Sequence, residues 1–217
     1  MPKVAPEYQT DKKNFILDCT GEVLKAKPLY LVTMRDIIQK AGFSQGAIYR
    51  YYAGLDEIYV DFVNRHTPNI ALEQNIDALL RAGRAEAETL YECILEIGRY
   101  IEALLGSVGG RTCFELMVLY AYDFEKRNAV FPKLRFKQSL EYAQRQMMAF
   151  ALDNVEKGVF RPQIPVRSIV LLMNGFIDGI AQSAAFDTAE DGTRRAASAV
   201  DIPEMFWALA KAVVNLL

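Results

Sequence analysis

The stretch TMRDIIQKAGFSQGAIYRYY, residues 33–52, decides how this chain is to be read. It opens on Thr33-Met34-Arg35-Asp36, a spacing in which the threonine hydroxyl and the aspartate carboxylate satisfy backbone donors of a first helical turn. A helix therefore starts sharply there and runs to about Lys40. Ala41-Gly42-Phe43 follows, where Gly42 permits the left-handed turn that ends a helix, and Ser44 can cap a second short helix through Tyr52. Two helices joined by so tight a turn have the geometry that rests one on a DNA backbone and lowers the next into the major groove. Ile37, Ile38, Ala41, Phe43, Ile48 and Tyr52 fall on the side that makes a small core. Gln45, Gly46, Ala47, Tyr49, Arg50 and Tyr51 fall near the outer face.

Those outer residues carry the chemistry that a duplex requires. Ser44 and the helix N-terminus offer hydroxyl and N–H groups to phosphate, while Tyr49 and Tyr51 donate phenolic hydrogen bonds and pack flat against sugar. Gln45 can pair bidentately with an adenine edge and Arg50 with guanine or phosphate; small Gly46 and Ala47 allow approach to a thymine methyl. Residues 1–66 hold nine basic and eight acidic side chains, but within 33–52 Arg35, Lys40 and Arg50 face a single acid, Asp36. The positive surface is local. On spacing alone, a plain helical corner in a bundle is the alternative reading.

Outward from this segment, helical periodicity with stop signals recurs and strand signals are scarce, so the chain reads as all-α. A first helix starts near Thr10 and Asp11 and stops at Pro28; a fourth follows from Leu55 to about Thr67, with Pro68 at its end. This divides the chain into a three-helix head with a helix-turn-helix over residues 1–66 and a larger helical domain over 67–217. There, helices are expected near 70–82, 86–105, 111–127, 132–157, 166–186 and 201–217, with breaks at 106–110, 158–165 and 187–193.

Composition narrows the function further. The 217 residues, 52% hydrophobic and 24% charged with a formal charge of −2, describe a globular chain rather than a general polycation. Three well-separated cysteines, Cys19, Cys93 and Cys113, and no apolar leader read as a reduced cytoplasmic protein. Polar residues interrupt its most apolar segment, 169–186, which excludes a clean membrane span. With His66 the only imidazole, a histidine-rich metal site or a conventional triad has little material. The acidic row Glu88, Glu92 and Glu96 reads as a solvated face, and 106–110 as a flexible helix junction. Neither catalytic residues, metal nor cofactor are expected.

The run from Thr33 to Tyr52, with Ala-Gly-Phe-Ser followed by Ile-Tyr-Arg-Tyr-Tyr, resembles the DNA-binding motif of the tetracycline-repressor (TetR) family of bacterial transcriptional regulators. The resemblance covers roughly residues 10–65. It implies a homodimer with two heads on a pseudo-palindromic operator, released when the C-terminal domain binds a small-molecule effector. Thr33, Arg35, Ser44, Tyr49 and Tyr51 then fall at backbone-contacting positions, and Gln45, Gly46, Ala47 and Arg50 at base-reading ones. Three positions depart from the family pattern: Pro28 for a glycine, Val32 for a threonine, and Leu55 for a phosphate-binding lysine.

An effector pocket, implied by the same resemblance, would draw on the large residues that recur on the later helices: Phe114, Met117, Tyr120, Tyr142 and Met147, with Glu115, Asn174 and Asp178 as orienting polar groups. All of these serve equally as ordinary core. Gly175, Gly179 and Ser183 form a smooth stripe at helical spacing. With Phe206, Trp207 and Val213, the stripe suits either intrachain packing or the intersubunit helix bundle that the resemblance implies. The rival function is a helical small-molecule-binding protein or enzyme whose N-terminal motif has lost its DNA role.

Overall fold

The computed structural model describes residues 6–186 and 201–217. Eleven α-helices and no strand occur among them, so the chain is all-α. The first, α1 (Pro6–Ala26), begins four residues before the expected start, because a proline at the first helical position gives up no hydrogen bond and Glu7 suits a helix N-terminus. Pro28 ends it, and one 3-10 turn, Leu29–Leu31, leads on. Then come α2 (Met34–Ala41), α3 (Gln45–Ile48) and α4 (Leu55–His66). The remainder are α5 (Leu72–Leu80), α6 (Glu86–Leu105), α7 (Val108–Leu119), α8 (Phe124–Val130), α9 (Arg135–Glu156), α10 (Val166–Phe186) and α11 (Ile202–Leu216).

Further boundaries differ from the sequence reading. The expected helix over 111–127 is two helices, because Asp123 accepts the Lys126 N–H at 2.9 Å and starts α8 afresh. The expected break at 106–110 is confined to Gly106 and Ser107, and Gly109 and Gly110 lie buried inside α7. The loop expected over 187–193 falls outside the described residues.

By contact, the chain forms two compact units. One joins the residues up to Thr67 with Val108–Leu134; the other joins Pro68–Ser107 with the residues from Arg135 onward. The sequence division placed all of 67–217 together, whereas α7 and α8 pack with the N-terminal helices.

In the first unit, Ile16, Leu17, Val32, Ile37, Ile48, Tyr52, Ile58 and Phe62 make a continuous buried core, with Ile38, Phe43, Tyr51 and Leu55 packed at its edge. Helix α7 lies against α4. A Cβ on Gly109 would stand 2.5–2.7 Å from backbone atoms of Val63, His66 and Thr67, so only glycine allows this approach. In the second unit, α11 packs on α6 across Gly98, where a Cβ would meet the Phe206 ring at 2.6 Å. Glu96 is buried, correcting its expected place on a solvated row: it accepts from Asn75 at 2.6 Å and pairs with Arg99 at 2.7 Å. All three cysteines are buried and outside any disulfide, and burial pushes the Cys93 thiol up to about 12.

Candidate functional site

Local hydrogen bonding builds the reading segment. Asp36 N–H donates to Thr33 Oγ1 at 3.3 Å, and Thr33 N–H and hydroxyl donate to the Asp36 carboxylate at 2.9 and 2.7 Å, completing the capping box. Lys27 closes on the same carboxylate at 2.5 Å. The Lys27 and Thr33 hydrogen bonds lower the Asp36 pKa to about 2. Gly42 ends α2 in the left-handed conformation, φ 66°. Ser44 stands at the N-cap of α3 with extended backbone, but its hydroxyl makes no capping hydrogen bond.

Helix α3 covers four residues, and Tyr49 to Tyr52 continue as a turn held by Tyr51 N–H and Tyr52 N–H on the Ile48 carbonyl. Ile48 and Tyr52 are buried beneath it. Thr33, Arg35, Ser44, Gln45, Gly46, Tyr49 and Arg50 are exposed, and Ala47 and Tyr51 are half-buried. Tyr51 leans on Phe43 with ring centroids 6.4 Å apart, and Phe43 in turn on Phe15 at 5.8 Å. Among the described residues, Arg35, Lys40 and Arg50 have no carboxylate within ion-pair distance. Leu55 packs on the head core, which explains why an apolar residue is tolerated there.

The later candidates are dispersed. Phe114, Glu115, Met117 and Tyr120 belong to the first unit; Tyr142, Met147, Asn174 and Asp178 belong to the second. Tyr120 is committed to Asp56 at 2.6 Å and Tyr142 to Asp77 at 2.8 Å. Desolvation raises the Glu115 pKa, with the Leu29 N–H and the Arg111 charge pulling the other way. It also raises that of Asp178, opposed by Lys137.

The second unit holds an apolar cavity of about 40 Å³ bounded by α6, α9, α10 and α11. Met147 lines it, with Ile94, Met148, Ile169, Met173 and Val213; Gln144 is its polar member and donates to Asn174. Of the pocket residues expected from sequence, Met147 lines this cavity and Asn174 only touches its lining residue Gln144; Ile94, Met148 and Ile169 were not among them, since cavity wall and close-packed core draw on the same residue types.

Of the six residues assigned to a dimer face, Gly175, Gly179, Ser183 and Trp207 are exposed. Phe206, 1% exposed, and Val213 point inward, Phe206 edge-on to Phe176 at 5.7 Å and Val213 into the cavity wall. Their place on one helical stripe with Leu209 and Ala210 turns them to the protomer's own core. Among the described residues, no cluster of histidine, cysteine or carboxylate side chains could hold a metal, and no helix is long and apolar enough to cross a membrane.

Comparison with known proteins places this geometry. Residues 16–61 match the family of bacterial regulatory proteins of the tetR type. The helix-turn-helix-type transcriptional regulator YfiR of Bacillus subtilis is 26% identical over 191 residues, covering 85% of each chain. Among solved structures, FadR of Bacillus subtilis, in complex with stearoyl-CoA, superposes with a TM-score of 0.56 at 15% identity, covering 94% of this chain and 98% of its own. Thermus thermophilus FadR, a repressor in complex with lauroyl-CoA, gives 0.51 at 17% identity, covering 94% of both. A capped helix-turn-helix with its outer residues exposed, the family match over residues 16–61 and the shared fold together make this chain similar to the TetR-family transcriptional regulators.

Proposed function

We propose that this chain is a TetR-family transcriptional regulator, a cytoplasmic repressor that binds a pseudo-palindromic operator as a homodimer and is released by a small-molecule effector. The observation that carries the reading is the exposed set Gln45, Gly46, Tyr49 and Arg50, carried by a short helix and the turn that follows it over the buried Ile48 and Tyr52. Two such heads about one DNA turn apart, roughly 34–36 Å, multiply the few bases that each can read. The exposed stripe Gly175, Gly179 and Ser183, beside exposed Leu171 and Leu172, supports pairing of protomers through α10.

The cavity supports an apolar effector. Its walls carry no charged side chain, and at about 40 Å³ it holds little more than one water, whose share of liquid volume is about 30 Å³. A ligand of ordinary size takes about 300–1,000 Å³, so entry must open these walls. Three methionines, flexible and readily repacked, suit that opening. We assign a hydrocarbon-chain effector, and a fatty acyl-CoA is the first to test because two proteins of this fold bind one.

Footprinting on DNA upstream of the encoding gene tests the reading. A symmetric protected site is expected, lost in Tyr49→Ala while the dimer remains; normal protection by that variant would remove Tyr49 from the reading surface. Lauroyl- or stearoyl-CoA is expected to raise the melting temperature and release the operator. A flat melt across acyl chain lengths would remove the effector class.

A further inference from the structure

Asp56 sits in the first turn of α4, four residues after the reading turn ends at Tyr52. Its two carboxylate oxygens are taken by separate donors from far along the chain. The Tyr120 hydroxyl donates to Oδ1 at 2.6 Å and Lys126 Nζ to Oδ2 at 2.6 Å. Lys126 also lies 5.4 Å from the centre of the Tyr120 ring, so the three side chains form one closed cluster. Tyr120 is buried, and burial together with the Asp56 hydrogen bond raises its pKa.

The cluster fixes an otherwise weakly held junction. Helix α3 is a single turn whose N-cap hydroxyl makes no capping hydrogen bond, and Gly54, the N-cap of α4, has no side chain to supply one. Between them, the Ala53 N–H donates to Glu57 at 2.8 Å. The first turn of α4 thus carries the end of the reading turn on Glu57, while Asp56 in the same turn is gripped by Tyr120, the residue that follows α7, and by Lys126 of α8. Neither Tyr120 nor Lys126 lies within residues 16–61, so the grip comes from chain outside the matched head.

We infer that Tyr120 and Lys126 are positioning residues for DNA recognition: through Asp56 they hold α4, and with it the turn bearing Tyr49 and Arg50, in the register that reads bases. The assignment rests on the operator-binding reading above. Loss of a charged hydrogen bond at this junction leaves Thr33, Arg35 and Lys40 of the α2 segment in place to meet phosphate but lets the turn bearing Tyr49 and Arg50 shift. Specific binding weakens and non-specific binding does not.

The test measures Kd of the full chain for its footprinted operator and for a scrambled duplex, at several salt concentrations, with Tyr120→Phe, Lys126→Met, Lys126→Arg, Asp56→Asn and the double variant Asp56→Asn/Lys126→Met. Operator affinity is expected to fall about tenfold in Lys126→Met and Asp56→Asn, and a few-fold in Tyr120→Phe. The double variant should lose no more than the worse single one, because both remove the same contact. Lys126→Arg keeps the charge and restores most of the affinity, and scrambled-DNA affinity and the salt slope stay as in the parent. Tyr120→Phe preserves shape and volume, so it reports even if Asp56→Asn folds poorly, and melting curves identify that case. Additive losses, or a salt slope shallower by about 1.8 in Lys126→Met alone (about 0.9 for each of two heads), would mean that Lys126 touches phosphate directly and overturn the assignment. Unchanged operator affinity in Tyr120→Phe and Lys126→Met overturns it as well. Failure of the parent chain to prefer any operator overturns the repressor reading and this assignment with it.

Discussion

Replacing Gly109 by alanine tests the packing that joins α7 to α4. The added Cβ would stand 2.5 Å from the His66 carbonyl carbon, 2.6 Å from the Thr67 nitrogen and 2.7 Å from the Val63 carbonyl oxygen, where ordinary contact begins at 3.4 Å. The shortfall is roughly 0.7–0.9 Å against backbone, which has no rotamer to change. Helix α7 must therefore retreat, and a gap of 0.5–1 Å forfeits about a quarter to a half of the dispersion attraction across that face. Overpacking costs about 1–3 kcal/mol, and the upper end applies because no side chain can yield. Alanine's helix propensity returns about 1 kcal/mol. The net is a loss of about 2 kcal/mol, which for a chain of this size lowers the melting temperature by about 4–8 °C. Differential scanning calorimetry reads it directly. Gly46→Ala, melted without DNA, is the control, since a Cβ there meets nothing within 4 Å. A Gly109→Ala protein that melts at or above the parent would refute the close approach of α7 to α4.

Asp36→Asn should be destabilising near neutral pH and indifferent in strong acid. The folded carboxyl titrates at about 2 against an ordinary 3.8, so its contribution is fully present above the ordinary value and is lost as pH falls through about 2. Urea midpoints should differ between parent and variant by a constant amount down to about pH 5 and converge between about pH 4 and 2; a gap that persists at the acid end would discard the Lys27 and Thr33 contacts as its source. Gly175→Leu is expected to leave far-UV circular dichroism unchanged and to dissociate the homodimer in sedimentation at micromolar concentration; an intact dimer would remove this face of α10 from the interface. Operator affinity should fall with a log–log salt slope near −5, from three cationic side chains in each of two heads at about 0.9 per contact.

The head was legible wherever a residue's partner lies within a few positions. Thr33 with Asp36, Gly42 at the turn and Pro28 after α1 all act locally, and all three stand as read. Asp123 was equally local, but its capping role was hidden in an apolar periodicity that runs on through Phe124. What sequence could not carry is the choice of partner. Tyr120 and Tyr142 look like pocket aromatics by type, yet each hydroxyl reaches an aspartate 64 or 65 positions away. Phe206 and Trp207 are adjacent on α11 and equally suited to an interface by composition. Only the packing of α11 on Gly98 determines that Phe206 turns inward and Trp207 stays half exposed.

Near-neutrality of the head is the strongest argument against a DNA role, and pairing removes it. Residues 1–66 carry a formal charge of only +1. Of the acids, Asp61 is paired with Lys13, Glu22 with Lys25, Asp36 with Lys27, Asp18 with Arg65 and Asp56 with Lys126. The lysines and arginines consumed in these pairs lie on α1, on α4, on α8 or in the bend after α1; none lies within residues 33–52. Five of the eight acids are thus neutralised by cations outside the reading segment, and Asp36, the single acid inside it, is answered by Lys27 rather than by a cation on the contact face. Arg35, Lys40 and Arg50 remain to meet phosphate, so the field that a duplex encounters is set by these three and not by the sum over the head. A measured slope near −1 would mean that they do not engage phosphate together, and local charge would no longer offset the weak net charge.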